Sequence, residues 1–545
     1  MRGLMMDFPL TLDVIARRAE QLFPDVEVVG RRPDRSLHRT TYREMIGRAR
    51  HFAAGLESLG LARGDRVATL AWNSVQHAEA YFAVPCGGFV CHTLNLRLHA
   101  DELAWIATNA GDRAIIVDDV LLPLFEQFRD RSPIEHVIVI NFSGGALPAG
   151  AISFEDVIAL GAARSYEFPA LPETAAAAMC YTSGTTGKPK GVVYSHRSQV
   201  LHCFGECLTS ALGMREGDCG LAIVPLFHAN AWGFPYASAM LGMKQVLPGP
   251  HLDAGSLLDL ITGEKVTVVA GVPTVMMGIL AGLDAKPGVY DLSLWQTAVI
   301  GGSAVPQHMI KAFRERYQVS VVQGWGMTET SPLASISRIP PGFVATGPDD
   351  EDGYRARQGR PVPFMEIRAR NEDTGIIPWD GTAMGELEVR GPWVVGEYYH
   401  AVNGAERFTP DGWFRTGDIV SIHGDGCIQI RDRSKDVIKT GGEWVSSVAL
   451  ENAIMAHPAV AEAAVIGVPE PKWMERPLAV VVCKPGKTVT HDEIVTFLKP
   501  QFAKWWMPDA TEFVDAIPKS GAGKFLKNVL RERFAERLMN QRNTE

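Results

Sequence analysis

The chain has 545 residues, too many for one hydrophobic core, so two or more domains are expected. A formal net charge of −9 argues against nucleic acid as the main partner, because a phosphate backbone requires a basic face. Hydrophobic residues make up 46% and charged residues 21% of the chain, as in a globular enzyme. No uninterrupted apolar run approaches the length of roughly eighteen residues that a membrane-spanning helix needs.

The N-terminus acquires an acid, Asp7, before the apolar core of a signal peptide can develop. Eight scattered cysteines without a CxxC pair fit a reducing, cytoplasmic setting. From there, short β-branched runs alternate with segments of helical period. Arg66–Leu70 reads as a strand, Ser74–Val84 as a helix, and Arg113–Val117 and His136–Ile140 as strands. Ala176–Cys180 and Gly191–Tyr194 read as strands around a polar loop. The most apolar stretch, Leu221–Leu247, is interrupted by Pro225, His228, Asn230 and Pro235, which suits a pocket wall. Thr267–Ala270, Thr297–Ile300 and Val319–Val322 read as strands, with a helix over Pro306–Tyr317. Pro340–Gln358 reads as an exposed connection because it is rich in Gly, Pro and acid. This alternation predicts an α/β fold with a large N-terminal domain of several sheets.

Near residue 432 the character changes. Asp432-Arg433-Ser434-Lys435-Asp436 is a dense charge cluster that reads as a polar linker or solvated turn. Beyond it a smaller, mobile α+β unit is expected: helix Ser447–Ala456, strands Val460–Ile466 and Leu478–Cys483, and helix Asp492–Leu498. The expected domains are 1–432 and 433–545.

The run Tyr181-Thr-Ser-Gly-Thr-Thr-Gly-Lys-Pro-Lys-Gly191 carries the most chemistry. Its glycines let backbone N–H groups approach an anion. Thr182, Ser183, Thr185 and Thr186 add neutral donors, and Lys188 and Lys190 add positive charge. It is not a Walker A loop, because Pro189 follows Lys188 and disfavours the helix that such a loop opens. It reads instead as a polyphosphate-wrapping loop between two strands.

Four further motifs add to it. Gly324-Trp-Gly-Met-Thr-Glu-Thr330 offers an aromatic plate, a hydroxyl and a carboxylate able to hold Mg²⁺. Trp413-Phe-Arg-Thr-Gly-Asp418 puts a carboxylate after a tight turn, suited to a ribose diol. Gly301-Gly-Ser-Ala-Val-Pro306 follows a strand and allows close backbone approach to a flat ligand. Pro518-Lys-Ser-Gly-Ala-Gly-Lys524 presents a lysine on a glycine-rich arm.

Together, from about Thr41-Tyr42 to Lys527, these residues resemble the adenylate-forming superfamily of acyl-CoA synthetases, peptide-synthetase adenylation domains and firefly luciferase. The resemblance implies that Thr182, Ser183, Gly184, Thr185, Thr186, Gly187, Lys188 and Lys190 bind the ATP phosphates. It implies that Gly302, Ser303, Trp325 and Gly326 bind the nucleotide, the first three framing adenine. Thr328 would bind the α-phosphate, Thr185 and Glu329 would hold Mg²⁺, and Asp418 and Arg433 would hold the ribose. Lys524 would bridge the substrate carboxylate and the α-phosphate. Lys435 matches the hinge about which the small domain swings. Gly441, Gly442, Glu443 and Trp444 would then replace the Lys524 loop and help form the CoA tunnel. The usual threonine after Pro-Lys is Ser520 here, which keeps the hydroxyl.

Within that superfamily the chain is similar to medium- and long-chain fatty acyl-CoA synthetases and to methylthioalkanoate-CoA ligases. Pro225-Leu-Phe-His-Ala-Asn-Ala-Trp-Gly233, Lys244–Pro250, Gly441–Ser447 and Phe502-Ala-Lys-Trp505 carry this likeness. Trp232 matches an acyl-tunnel gate, and His228 would line the acyl site. The resemblance thus implies a ligase using ATP, CoA and a fatty acid, with a short-chain acid or 3-methylthiopropionate as the alternative. It also implies a homodimer.

Overall fold

A computed structural model describes residues 1, 3–182, 188–347, 349–401, 404–440, 443–470, 473–519 and 525–535, with the Glu443 side chain outside that set. The chain divides into two compact units. One comprises Met1–Glu366 with Arg390–Phe414, and the other Ile367–Val389 with Arg415–Glu545.

The first unit holds two large sheets. One is seven-stranded, in the spatial order Ala151–Ser153, His136–Ile140, Asp112–Asp118, Arg66–Leu70, Val90–Thr93, Ala176–Tyr181 and Gly191–Ser195. Its strands run parallel except for the final pair, where Ala176–Tyr181 meets Gly191–Ser195 antiparallel. The other is nine-stranded and parallel through its centre, from Ser320–Gly326 across Thr297–Ile300, Val268–Gly271, Cys219–Ala222 and Lys244–Leu247 to Glu27–Arg31. The helix Val75–Cys86 packs against strands of both sheets, and every one of its residues is buried. A helix in that position has no solvent-facing stripe, so its polar residues are buried too, and Glu79 is paired with Arg48 at 2.6 Å. Ser74 caps its start by accepting the His77 N–H.

Burial of this density traps histidines as neutral groups. Burial pushes His77 and His196 down to about 4 and His202 down to about 3. Each still has polar partners. The His77 ring contacts the Trp72 carbonyl and the Thr69 hydroxyl, His196 Nδ1 accepts the Leu12 N–H, and His202 Nε2 accepts the Leu333 N–H. All eight cysteines are free thiols.

The second unit combines two five-stranded sheets. One is antiparallel where Phe414–Ile422 pairs with Ile428–Arg433. The other centres on the long hairpin of Val460–Glu470 and Met474–Cys483. Helices Ser447–Met455, His491–Leu498 and Lys527–Phe534 complete it.

The structure departs from the sequence reading at several points: strands Val460–Glu470 and Met474–Cys483 are longer than expected, and Asp418 lies within the strand Phe414–Ile422. The strand expected to end at Val322 runs on to Gly326, so Trp325 lies within it. The connection Pro340–Gln358 contains the helix Asp350–Arg355, because Arg314 pairs with buried Asp352 and Tyr354 packs inward. The charge cluster is only partly a linker. Asp432 and Arg433 continue a strand, opposite Ile419 and Asp418, and both Asp432 and Asp436 are buried. Partners compensate for that burial: Asp432 accepts the Ser447 N–H, and Asp436 pairs with Arg531. Among the described residues, no helix is long and apolar enough to cross a membrane.

Candidate active site

The antiparallel pairing of Ala176–Tyr181 with Gly191–Ser195 sets Tyr181 opposite Gly191. The hairpin closes through Thr182 N–H to the Lys190 carbonyl at 3.0 Å and Lys190 N–H to Thr182 Oγ1 at 3.0 Å. Ser183, Gly184, Thr185, Thr186 and Gly187 lie outside the described residues. Beyond them, Lys188 Nζ stands 5.3 Å from the centre of the Trp105 ring.

The 3₁₀ turn Thr328–Thr330 is brought to the same place. The Tyr194 hydroxyl donates to the Thr328 carbonyl at 2.7 Å, and Val395 N–H donates to the Glu329 carbonyl at 2.8 Å. Glu329 is only 7% exposed, yet the Tyr398 hydroxyl donates to its Oε1 at 2.7 Å. The same Tyr398 ring lies under Lys190, whose Nζ is 4.8 Å from its centre. Tyr398 therefore joins a loop cation to the turn carboxylate. Burial, with Glu329 beside it, pushes the Tyr398 phenol well up, so it remains a proton donor. Sequence reasoning missed Tyr398, for which the only signal is an aromatic pair, Tyr398-Tyr399, in a polar loop. The Tyr399 N–H donates to the Gly191 carbonyl, which docks that loop on the hairpin.

Trp325 is buried on its strand, and a Cβ on Gly326 would sit 1.8 Å from the Pro332 carbonyl oxygen. Gly302 has φ +87°, the left-handed region that glycine tolerates, and Ser303 follows it in the turn after Thr297–Ile300. A Cβ on Gly301 would lie 3.2 Å from the Trp232 ring and 3.1 Å from the Gly324 carbonyl. Trp232 is thereby placed against the turn that leads to Gly302. It belongs to a run of four non-glycine residues with positive φ: Ala229 at 37°, Asn230 at 40°, Ala231 at 57° and Trp232 at 57°. Left-handed backbone costs roughly 1–2 kcal/mol per residue, so neighbours must impose it. Asn230 N–H meets Cys180 Sγ at 3.3 Å, and Ala231 N–H donates to the His228 carbonyl at 2.9 Å. Cys180 sits two residues before Thr182, so one thiol links the Tyr181–Gly191 hairpin to the Trp232 turn. His228 is half-buried at the entrance of that turn.

In the second unit, antiparallel register sets Asp418 opposite Arg433, and their ion pair measures 2.8 Å. Asp418 is buried and Arg433 partly exposed. Lys435 is exposed in the turn after them. Trp444 lies in the short strand Glu443–Val445, with Lys439 Nζ 5.8 Å from its ring centre. Gly441, Gly442, the Glu443 side chain and Lys524 lie outside the described residues.

A model of the AMP-binding enzyme family matches residues 16–399, and one of the AMP-binding enzyme C-terminal domain matches 449–524. The chain is 45% identical over 534 residues to a long-chain-fatty-acid–CoA ligase of Thermus thermophilus, covering 97% of this chain and 96% of that one. It is 42% identical over 543 residues to a 3-methylmercaptopropionyl-CoA ligase of Ruegeria lacuscaerulensis, covering 99% and 100%. Among solved structures it is similar to an anthranilate CoA ligase in complex with anthranoyl-AMP, with TM-score 0.83 and 27% identity over 97% of this chain and 98% of that one. The family match over residues 16–399, with relatives 45% and 42% identical along 97% and 99% of the chain, identifies it as a member of the AMP-binding acyl-CoA ligase family.

Proposed function

We propose that this acyl-CoA ligase activates a medium- or long-chain fatty acid, with the site residues divided between two half-reactions. The Tyr398 contact that joins Lys190 to Glu329 beside Thr328 supports the adenylation step, since it gathers a cation, a hydroxyl and a carboxylate. The long- and medium-chain relatives support the fatty acid. In the first half-reaction a carboxylate oxygen of the acid attacks the α-phosphorus of ATP, and pyrophosphate leaves. Lys188 and Lys190, with Thr182, Ser183, Gly184, Thr185, Thr186 and Gly187, take the β- and γ-phosphates. Thr328 bonds the α-phosphate. Gly302, Ser303, Trp325 and Gly326 frame the base, while Asp418 and Arg433 hold the ribose.

Glu329 is a hard oxygen donor, nearly buried and held in place by Tyr398, and so fits Mg²⁺ whose other ligands are phosphate oxygens and water. When bound there, with Thr185 as a second protein ligand, the ion would neutralise phosphate charge. Lys524 stands between the acid and the α-phosphate and stabilises charge developing on the pentavalent phosphorus, an effect typically worth about 10²–10³ in rate.

In the second half-reaction the CoA thiol attacks the acyl carbonyl and AMP leaves. Lys435 serves as the hinge between domains 1–432 and 433–545, and Gly441, Gly442, Glu443 and Trp444 then face the adenylate. Trp232, backed by Gly301, gates the acyl site, and His228 lines it. The free thiols support a cytoplasmic enzyme, and we assign it as a homodimer, to be checked by light scattering.

The test is AMP and pyrophosphate release with Mg²⁺, ATP and CoA across straight-chain acids from acetate to palmitate, with 3-methylthiopropionate included. A maximum at medium or long chains supports the proposal. A maximum at the thioether acid or at the shortest acids moves the enzyme beside its methylmercaptopropionyl relatives. Release of ADP instead of AMP overturns it.

A further inference from the structure

A buried ionic cluster in the second unit has no part in the chemistry described above. Lys527, the first residue of the helix Lys527–Phe534, is 9% exposed, and its Nζ lies 2.7 Å from Glu451 Oε1 and 2.5 Å from Ser447 Oγ. Ser447 N–H donates to Asp432 Oδ2 at 2.5 Å, and Asp432 is fully buried. Glu451 also accepts the Val465 N–H at 2.7 Å, which ties the cluster into the long hairpin. One turn further along the same helix, Arg531 pairs with Asp436 at 2.6 Å. Burial opposes the charge on Lys527, yet Glu451 and Asp432 outweigh it and hold the ammonium protonated. Burial pushes the carboxyls of both Asp432 and Glu451 up, and Lys527 opposes that shift at each.

The position of the cluster in the chain gives it a meaning. Asp432 immediately precedes Arg433, the partner of Asp418, while Lys527 comes three residues after Lys524. Lys435 falls between Asp432 and every other member of the cluster. A rotation about Lys435 therefore separates Asp432 from Ser447 and Lys527 but leaves the Lys527–Glu451 pair intact. We propose that Lys527 is a positioning residue, the cation of a latch formed with Asp432, Ser447 and Glu451 that holds the lysine-bearing C-terminal segment in one of the two domain arrangements. This rests on the hinge reading given above. The latch sets how readily the enzyme passes from one half-reaction to the other, without touching substrate.

The test compares Lys527→Met, Asp432→Asn and the double variant in the full-length enzyme. Adenylation is read as acid-dependent pyrophosphate exchange, and thioesterification as CoA acylation from supplied acyl-adenylate. Both single variants are expected to shift the ratio of the two rates by about tenfold in the same direction, as loss of a buried ion pair warrants, with no further shift in the double variant. Lys527→Arg, which keeps the charge, should restore the ratio. A ratio that stays within about twofold of wild type while the melting temperature falls would assign the cluster a purely structural role and overturn the latch. So would shifts in opposite directions. Hydrogen exchange at residues 433–437 gives a readout that needs no turnover: faster exchange in Asp432→Asn supports the latch, and unchanged exchange overturns it. A wild-type chain that forms no AMP would sink the ligase reading alone, leaving the exchange result to decide the latch.

Discussion

Tyr398→Phe removes one hydroxyl and keeps the ring. The cation–π contact with Lys190, at 4.8 Å, should therefore survive, while the 2.7 Å hydrogen bond to Glu329 is lost. That bond has a carboxylate acceptor in a nearly buried position, which places it among hydrogen bonds to charged groups, worth about 1.5–3 kcal/mol. If the transition state for adenylation depends on Glu329 being held in place, the loss appears in kcat/KM. At about 1.36 kcal/mol per decade, this range predicts a fall of roughly 10- to 150-fold. Glu329 released from Tyr398 should also hold Mg²⁺ less well, so the Mg²⁺ concentration for half-maximal rate should rise. The assay is steady-state pyrophosphate release at fixed ATP, titrated with Mg²⁺, for wild type and variant. Adenylation within about twofold of wild type with an unchanged Mg²⁺ midpoint would refute the argument, since a bond of this class cannot vanish without trace where it matters.

Other predictions address separate parts of the molecule. Lys524→Ala should abolish adenylation by at least about 10²-fold while thioesterification of supplied acyl-adenylate continues; equal loss of both would remove its assigned role. Lys435→Pro should spare adenylation relative to the thioester step, and survival of both half-reactions would show the hinge lies elsewhere. Gly326→Ala forces a methyl to within 1.8 Å of the Pro332 carbonyl oxygen, so about 3 kcal/mol or more of stability should be lost, seen as a lower urea midpoint. The buried histidines make an acid-labile fold. His77 and His196 are pushed to about 4 and His202 to about 3, below the ordinary value of 6.5, so the unfolded chain binds more protons between pH 6.5 and 4. Stability should rise with pH across that window, and at pH 5 each group should cost about 2 kcal/mol. Replacing His77 with Gln should flatten part of that slope; an unchanged slope would show that its neutral state is not what acid attacks.

Much of the strand pattern was legible because parallel strands buried on both faces read as short β-branched runs, as at His136–Ile140 and Thr297–Ile300. Polar motifs between such runs were equally plain, since the loop after Tyr181 has nothing to contribute to a core. Composition misled where long-range partners reverse local preference. Asp432 looked solvated because its partner Ser447 is fifteen residues away, and Asp352 looked like loop because Arg314 is far upstream. Tyr398 was invisible for the same reason, as its meaning comes only from Lys190 and Glu329 arriving from two other segments. The left-handed run at Ala229–Trp232 could not be read from a segment in which Asn230 alone favours that backbone.

That run also bears on how substrate preference changes during evolution. Three of its four residues hold a shape their own chemistry resists, so the direction in which Trp232 points is set by Cys180, by Gly301 and by the strands behind them. If Trp232 gates the acyl site as proposed, a substitution in that supporting wall turns the indole without changing the identity of any pocket residue. Enzymes with identical pocket residues can then prefer different acids, and the cause will lie in the scaffold beneath the turn.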